Sequence, residues 1–321
     1  MRFIMYGAGA IGGVVGGRLF QAGHDVLLIA RGAHYEAMRA NGLVLRSPET
    51  TETIRVPVVG QPSEVDFRAG DVVLLSMKTQ DTAPALLQLR DAAGVDVPVI
   101  CMQNGVENER MSARLFSKVY ATAVMLPATH MEPGVVQADS APVTGILDTG
   151  RYPSGSDEVV EELSAALECS TFSSRPDSNI MRKKYAKLLM NLANSLQAMC
   201  DPGDDTRELA RLAREEAKEC YRVAGIDYAS EEEDRERRGG LITIGRVGGQ
   251  ARQGGSTWQS LARGKNTIEA DYLNGEIVLL GRLHGVPTPV NSMLQKMANE
   301  LARAGKPPGS LRAEELMTRL D

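Results

Sequence analysis

One segment of the chain places an amine and two amides where a single helix would bring them together. Lys187, Asn191 and Asn194 are four and three residues apart in a helical pattern that is otherwise largely apolar. At about 100° per residue, Asn191 lies about 40° round the helix from Lys187 and Asn194 about 20° on the other side. Because a polar stripe is costly to bury in a core, we expect it to face a cleft. An amine there can donate a proton, and the amides can bind polar groups of a substrate.

The start of the chain carries a glycine pattern typical of phosphate binding. After the apolar strand Arg2–Tyr6 the sequence reads Gly7, Ala8, Gly9, Ala10, Ile11 and Gly12. Gly7 permits a tight turn, Gly9 lets the backbone approach a pyrophosphate, and Gly12 lets the following helix pack closely on the strand. Phosphate charge would then bind to the N–H groups at the helix N-terminus. We therefore predict that residues 7–12 bind a dinucleotide.

The second predicted strand, His24–Ile29, is followed by a basic residue rather than an acidic one. Asp or Glu at this place binds the ribose 2′-hydroxyl of NAD, whereas Arg suits the 2′-phosphate of NADP. Arg31 therefore predicts NADP(H) as the cofactor. Arg39 and Arg46 are near enough in the sequence to share this contact.

Two further polar residues follow predicted strands. Lys78 comes after the apolar run Asp71–Met77, and Asn104 comes after Pro98–Met102. In an open α/β sheet, ligands bind beyond the carboxyl ends of the strands, so both residues are candidates for a binding site. Asn104 is followed by glycine, and Asn-Gly is also a common turn pair, so a purely local role is the alternative.

Two kinds of structure are needed to position these residues. Up to residue 178 apolar strands alternate with helical patterns, whereas from residue 179 onward almost every segment is helix-like. This predicts an α/β fold, with an N-terminal Rossmann-type doubly wound sheet in residues 1–178 and an all-α C-terminal domain in residues 179–321. The active site is expected in the cleft between them. The predicted C-terminal helices are Ile180–Met199, Asp204–Ala224, Ser230–Arg238, Ser256–Leu261, Asn266–His284 and Val290–Arg303.

Composition argues against several classes of protein. The 321 residues carry a formal net charge of −5, which argues against a nucleic-acid-binding surface. No apolar stretch reaches about 18 residues, so no membrane span is expected. The first strand leaves no room for a signal peptide, so we expect a cytoplasmic protein. The four cysteines lack the spacing of metal ligands; we expect buried thiols and no metal site.

Together these dispersed motifs resemble the ketopantoate reductase (2-dehydropantoate 2-reductase) family, in the 6-phosphogluconate-dehydrogenase-like superfamily. The resemblance covers nearly the whole chain and includes a further motif at Glu269–Gly275. It implies that Lys187 is the general acid in NADPH-dependent reduction of a 2-oxo acid and that Glu269 assists, with Asp271 as the alternative carboxylate. It implies cofactor contacts for Arg31, Lys78 and Asn104. The substrate-binding residues that it suggests are Asn104, Asn191, Asn194, Ser195 and Ser256.

The chain departs from the family pattern near the expected substrate. Ser195 stands where many members have asparagine, and Ser256–Ser260 differs from the usual S-M-x-Q-D and contains Trp258, the only tryptophan. The expected function is reduction of ketopantoate to pantoate in pantothenate and coenzyme A biosynthesis. A reductase of another 2-oxo acid or carbonyl compound, and a non-catalytic NADP(H)-binding regulator, are the alternatives. The expected partners are the small 2-oxo acid and a second copy of the chain in a homodimer.

Overall fold

The computed structural model describes residues 1–320, and their contacts divide the chain into two compact units. The first unit comprises Met1–Asn104, Asn108–Lys183 and Ser230–Arg252; the second comprises Gly105–Glu107, Lys184–Ala229 and the residues from Gln253 onward. The first contains the sheets and the second is helical, so the predicted fold class is confirmed. The domain bounds 1–178 and 179–321 stay a prediction, whereas the contacts group residues 230–252 with the first unit.

Twelve strands lie in the first unit. They are β1 (Arg2–Tyr6), β2 (Asp25–Ile29), β3 (Leu43–Arg46), β4 (Thr51–Ile54), β5 (Val58–Val59), β6 (Asp71–Leu75), β7 (Val99–Cys101), β8 (Val119–Met125), β9 (Ala128–Thr129), β10 (Val135–Ala138), β11 (Gly145–Arg151) and β12 (Phe172–Ser173). Eight of them form a sheet in the order β12-β11-β8-β7-β6-β1-β2-β5, and four form a smaller sheet in the order β4-β3-β10-β9.

The helices follow the chain through both units. They are α1 (Ala10–Gln21), α2 (Gly32–Asn41), α3 (Thr82–Ala93), α4 (Asn108–Ala113), α5 (Glu158–Glu168), α6 (Ile180–Asn191), α7 (Asn194–Met199), α8 (Arg207–Ala224), α9 (Glu231–Arg238), α10 (Ser256–Ala262), α11 (Asn274–His284), α12 (Pro289–Arg303) and α13 (Ala313–Met317). Short 3₁₀ turns occupy Pro62–Glu64, Thr79–Asp81 and Glu269–Tyr272. Among residues 1–320, no helix has both the length and the apolar character needed to cross a bilayer.

The larger sheet is buried on both faces. Along β1, Phe3 and Met5 belong to one apolar core and Ile4 belongs to another, and β6 is buried throughout. This explains the continuous apolar runs, which are typical of parallel strands covered by helices on both sides. The register sets Tyr6 of β1 beside Ile29 of β2 and Leu75 of β6. The three strands therefore end together, at the place where the strand order reverses and where such sheets bind ligands.

The sequence of residues 53–59 predicts one strand, and this prediction is wrong because the segment is divided between two elements. Its first part lies in β4 of the smaller sheet, and its last part forms β5 at the edge of the larger sheet. Pro57 lies between them and has no N–H to donate to a ladder, so a strand does not continue through it.

Two predicted helices are also interrupted. The predicted helix Ile180–Met199 breaks into α6 and α7, and at the break the carbonyl of Leu192 accepts from Asn274 Nδ2 at 3.2 Å. Asn191 and Asn194 therefore lie on different helices. The prediction that Lys187, Asn191 and Asn194 form one stripe along a single helix is wrong to that extent. The predicted helix Asn266–His284 begins only at Asn274, since Leu273 has the non-helical backbone angles φ −110° and ψ −84°.

A buried carboxylate binds the returning segment Ser230–Arg252 to the rest of the first unit. Asp148 is 2% exposed and accepts from Arg237 Nε at 2.8 Å, from Arg237 Nη2 at 2.6 Å and from Lys183 Nζ at 2.7 Å. Burial alone would raise the pKa of Asp148, but the hydrogen bonds from Arg237 and Lys183 outweigh it and lower that pKa. Arg237 therefore compensates a charge that the fold has removed from water.

A second buried carboxylate lies farther along the same segment. Asp139 pairs with Arg252 Nε at 3.2 Å, and the neighbouring Ser140 Oγ accepts from the N–H of Thr243 at 3.1 Å. Burial raises the pKa of Asp139, although Thr129 and Arg252 act against it. The segment 230–252 is thus attached near both of its ends by charged pairs.

We predict that Arg237→Leu lowers the free energy of unfolding by about 3 kcal/mol at neutral pH, because it removes a partner from a buried ion pair. Since the pKa of Asp148 is lowered in the folded state, this contribution is full above the unfolded pKa of about 3.9 and is lost as pH falls through the folded value. Urea denaturation of both proteins as a function of pH measures it.

The matched control is Arg207→Leu, which removes the exposed partner of Asp205 and should change the free energy of unfolding little. An unchanged stability for Arg237→Leu, or a loss that persists undiminished when Asp148 is protonated, would contradict the prediction.

Candidate functional site

The glycine turn after β1 is fixed by contacts with both neighbouring strand ends. Gly7 has φ +101°, and a Cβ there would lie 2.7 Å from the backbone nitrogen of Met77. The N–H groups of Gly7 and Ala8 donate to the carbonyl of Ile29 at 3.0 and 3.2 Å. Gly12 is equally constrained, because a Cβ there would collide with the Ser76 side chain. Glycine is thus required at both positions by the close approach of backbone to backbone.

Gly9 differs, because a Cβ built there meets nothing within 4 Å. Gly9 is the N-cap of α1, and its carbonyl accepts the first helical hydrogen bond from Gly13 at 2.7 Å. The N–H groups of Ala10, Ile11 and Gly12 therefore lie in the first turn of α1, where no preceding helical carbonyl is in place to accept them. An open space in front of such groups suits an anion.

Two cationic residues follow the strands on either side of the turn. Arg31 is the N-cap of α2; its side chain is 81% exposed and pairs with Asp81 at 3.1 Å. Such an exposed pair is weak, so the guanidinium can exchange its carboxylate partner for a phosphate. Lys78 is half-buried and immediately precedes the 3₁₀ turn Thr79–Asp81. The register thus brings residues 7–12, Arg31 and Lys78 to one edge of the sheet.

The other two basic residues have partners on other elements. Arg39 pairs with Glu36 within α2 at 3.1 Å, and Arg46 on β3 lies 3.9 Å from Glu132. A shared role in binding a 2′-phosphate stays a prediction for Arg39 and Arg46. Of the three arginines, Arg31 is the one at the end of β2.

Asn104 lies in a loop that buried amides hold to the loop after β6. Gln103 Nε2 donates to the Met77 carbonyl at 2.9 Å and to Thr82 Oγ1 at 2.8 Å. Asn108 Nδ2 donates to the Asn104 carbonyl at 3.1 Å. Gln103, Thr82 and Asn108, which position this loop, were not predicted from the sequence. Their signal is a group of uncharged polar residues directly after two apolar strands, which is unusual for a core.

In the second unit Lys187 and Asn191 occupy successive turns of α6. Lys187 is half-buried and Asn191 is 5% exposed. Asn191 Oδ1 is buried and has no hydrogen-bond partner among residues 1–320. Since buried acceptors in native proteins are nearly always paired, this oxygen is suited to accept from a bound molecule. It lies one helical turn beyond an amine, which provides both an acceptor and a proton donor on neighbouring positions.

Ser195 belongs to a buried polar network that runs through the second unit. Its hydroxyl donates to Asn274 Oδ1 at 2.7 Å, and Asn274 Nδ2 donates to Asn291 Oδ1 at 3.0 Å. Asn291 Nδ2 in turn donates to Glu216 Oε2 at 2.7 Å. With its only hydrogen committed, Ser195 has just oxygen lone pairs left for a substrate. Asn194, the first residue of α7, is half-buried.

The segment around Ser256 is shaped by tight backbone packing. Ser256 begins α10 and is half-buried, and the preceding Gly255 donates its N–H to Gln197 Oε1 at 3.1 Å. A Cβ on Gly254 would lie 2.5 Å from the Trp258 ring. Trp258 therefore covers the loop that leads into its own helix.

The two candidate carboxylates of the 3₁₀ turn Glu269–Tyr272 differ in environment. Glu269 is 4% exposed. Asp271 is exposed and accepts from Gln295 Nε2 and Asn299 Nδ2, both at 2.7 Å. Asp271 thus serves contacts with α12 at the surface, and Glu269 is the buried carboxylate of this turn.

The cysteines and the other possible metal ligands form no metal site among residues 1–320. All four cysteines are free thiols; burial raises the pKa of Cys200 and Cys220 to about 11. The expectation that all are buried is wrong for Cys169, which follows the end of α5 at the surface. In residues 1–320 no three His, Cys, Asp or Glu side chains cluster in a way that could hold a metal ion.

Comparison with known proteins connects both units to one family. The model described as ketopantoate reductase PanE/ApbA matches residues 3–149, and the model of its C-terminal part matches residues 179–302. A 2-dehydropantoate 2-reductase of Pyrococcus horikoshii is similar, with 30% identity over 302 residues that cover 92% of this chain and 95% of the relative.

Two solved structures have a similar fold. A PanE/ApbA family ketopantoate reductase from Ralstonia eutropha JMP134 has a TM-score of 0.78 and 29% identity, covering 95% of this chain and 99% of that one. A D-mandelate dehydrogenase with NADH and anilino(oxo)acetate has a TM-score of 0.80 and 22% identity, with the same coverage. At the latter identity the similarity concerns the fold alone.

We predict that Gly9→Ala leaves folding intact but weakens dinucleotide binding at least tenfold. The new methyl group meets no protein atom, and φ at Gly9 is −72°, which alanine adopts readily; the methyl would occupy the space in front of the helix N-terminus. Thermal denaturation and titration with NADPH measure the two effects.

Gly240→Ala is the matched control, because a Cβ there also meets nothing within 4 Å; it should leave both properties unchanged. Normal NADPH binding by Gly9→Ala would show that this space does not hold the cofactor.

Proposed function

Because this chain belongs to the ketopantoate reductase family of oxidoreductase enzymes, we propose that it reduces ketopantoate to pantoate with NADPH. This reaction is a step in pantothenate and coenzyme A biosynthesis. Reduction of the ketone adds a hydride to its carbon and a proton to its oxygen. The dihydronicotinamide supplies the hydride when it is bound. The protein must then bind the cofactor, orient the 2-oxo acid and provide the proton.

The residues of the first unit fit a phosphorylated dinucleotide. The open space at Gly9 and the first-turn N–H groups of α1 suit the pyrophosphate. The exposed guanidinium of Arg31 at the end of β2 suits a 2′-phosphate, and Lys78 and Asn104 follow adjacent strands of the same sheet. These residues support NADPH as the cofactor, although the structurally similar D-mandelate dehydrogenase binds NADH.

The observation that carries the proposal is the buried oxygen of Asn191 beside Lys187. Asn191 Oδ1 lacks a partner within residues 1–320, and it would accept a hydrogen bond from a hydroxyl of the substrate. Ketopantoate has such a hydroxyl in addition to its ketone. We propose that Lys187 then donates its proton to the ketone oxygen, where negative charge develops as the hydride arrives.

We propose that Glu269 supports this step from the second unit. It is the buried carboxylate of its 3₁₀ turn, whereas Asp271 is engaged by Gln295 and Asn299. Substrate contacts by Asn104, Asn194, Ser195 and Ser256 complete the proposal.

One observation favours a second candidate, reduction of a different 2-oxo acid. Ser195 stands where many family members have asparagine, and its hydroxyl hydrogen is used by Asn274. A substrate at this place meets a shorter side chain with one donor fewer, which suits a larger or less polar group.

Four free thiols support a reducing compartment such as the cytoplasm. The homodimer stays a prediction, which size-exclusion chromatography with light scattering would test.

We predict that NADPH binds more tightly than NADH and that Arg31→Ala removes most of this preference. A charge-assisted contact with the 2′-phosphate contributes about 1.5–3 kcal/mol, which corresponds to roughly ten- to a hundredfold in affinity. Fluorescence titration with both dinucleotides measures it. Arg39→Ala, whose partner lies on its own helix, serves as the control, and equal affinities in the unmutated protein would refute the assignment.

We predict that Lys187→Ala lowers kcat by about 10²–10⁴, the range for losing a positioned acid, with little change in NADPH affinity. NADPH oxidation is followed with a panel of 2-oxo acids that includes ketopantoate, and the variant is compared on the best of them. Lys218→Ala, on α8, is the control. Near-normal turnover of Lys187→Ala would mean that the proton comes from elsewhere, and no turnover of any 2-oxo acid would favour a binding protein.

A further inference from the structure

A histidine contacts the glycine turn through its imidazole ring. His34 lies in the first turn of α2, and its Nδ1 accepts a hydrogen bond from the N–H of Gly134 at 2.8 Å. Its Nε2 lies 2.7 Å from the carbonyl oxygen of Ala8. A backbone N–H can only donate, so Nδ1 carries no proton and the neutral ring is protonated at Nε2. His34 therefore donates to the carbonyl of Ala8.

The contact falls on the peptide unit that leads directly into Gly9. The Ala8 carbonyl and the Gly9 N–H share one planar peptide. That N–H donates to the Gly7 carbonyl at 2.8 Å, so this peptide, which leads into the N-cap of α1, is held from both sides. Ala8 is 2% exposed, and its own N–H is held by the Ile29 carbonyl at 3.2 Å. With His34 on the other side, both ends of this residue are held in the turn.

The smaller sheet holds the imidazole in place. Gly134 lies in the turn between β9 and β10, and the His130 ring of the same turn packs against His34, with centroids 4.2 Å apart and ring planes tilted by 47°. His130 Nδ1 in turn lies 2.9 Å from the Val135 carbonyl. The orientation of His34 thus comes from residues about a hundred positions later in the chain.

We propose that His34 is a positioning residue for dinucleotide binding: its neutral imidazole holds the Ala8–Gly9 peptide, which fixes the start of α1 so that the N–H groups of its first turn face the pyrophosphate. The inference rests on the proposed binding of NADP(H). It differs from a purely structural role, in which His34 only attaches α2 to the β9–β10 turn. The two ring nitrogens separate these roles, because one contacts Ala8 and the other contacts Gly134.

Two substitutions test each nitrogen separately. His34→Gln places an N–H donor near the position of Nε2, and His34→Asn places an oxygen acceptor near that of Nδ1 but is too short to reach Ala8. At about pH 8, where an ordinary imidazole is neutral, we expect His34→Gln to bind NADPH within about threefold of the unmutated protein. We expect His34→Asn to bind about tenfold more weakly, the effect of one lost hydrogen bond.

The comparison of the two dinucleotides separates a defect in pyrophosphate binding from a defect in 2′-phosphate binding. Because the pyrophosphate is common to both cofactors, His34→Asn should weaken NADPH and NADH by the same factor, whereas Arg31→Ala should affect NADPH alone. Nitrogen-resolved NMR of the unmutated full chain provides a measurement without substitution: the His34 ring should be protonated at Nε2, and its resonances should shift when NADPH is added.

The outcomes separate the two proposals. If the unmutated protein binds NADPH and His34→Asn binds it equally well, or His34→Gln loses as much as His34→Asn, the role of His34 is overturned and the proposed function stands. A ring protonated at Nδ1 also overturns it. If the unmutated protein binds neither dinucleotide, the cofactor assignment fails, and the role of His34 fails with it.

Discussion

The carbonyl oxygen of Ile29 is the acceptor on which the geometry of the first unit's site depends. It accepts from both Gly7 and Ala8, so the chain leaving β1 must turn at the end of β2 instead of continuing as a strand. The backbone comes so close to the loop after β6 that a side chain at Gly7 or Gly12 has no room. The residue types in the turn, the start of α1 and the direction of its first N–H groups all follow from this close approach.

The second unit differs in that it buries polar side chains inside a helical core. Asn274 and Asn291 are fully buried, and each amide hydrogen bond that they make satisfies another buried group, from the Leu192 carbonyl to the Glu216 carboxylate. A satisfied network of this kind rigidifies a core, since any one member left unpaired would be costly. Against this background the unsatisfied oxygen of Asn191 is conspicuous, and it lies on the helix that carries Lys187.

Local sequence patterns were sufficient for the Rossmann-type sheet, the helical second half and the family, because these depend on periodicity and on short motifs. They failed where a distant residue decided the local structure. At the break between α6 and α7, Asn274, some 80 residues later, donates to the Leu192 carbonyl, and no local pattern near Leu192 indicates this contact. The smaller sheet was missed because β3 and β4 are short, and the pairing of β3 with β10 spans about 90 residues. No sequence motif marks His34, since its proposed role depends on contacts with Ala8 and Gly134 that spacing cannot show.

The return of Ser230–Arg252 to the first unit has a consequence for how the chain is made. When the ribosome has synthesised the last strand of the larger sheet, Asp139 and Asp148 lack the arginines that compensate them, because Arg252 and Arg237 are still to be translated. The first unit can therefore reach its final charge balance only after all of α6, α7 and α8 has been translated. Nascent chains halted before residue 237 should be the ones that depend most on chaperones, although every strand of the sheet is already present.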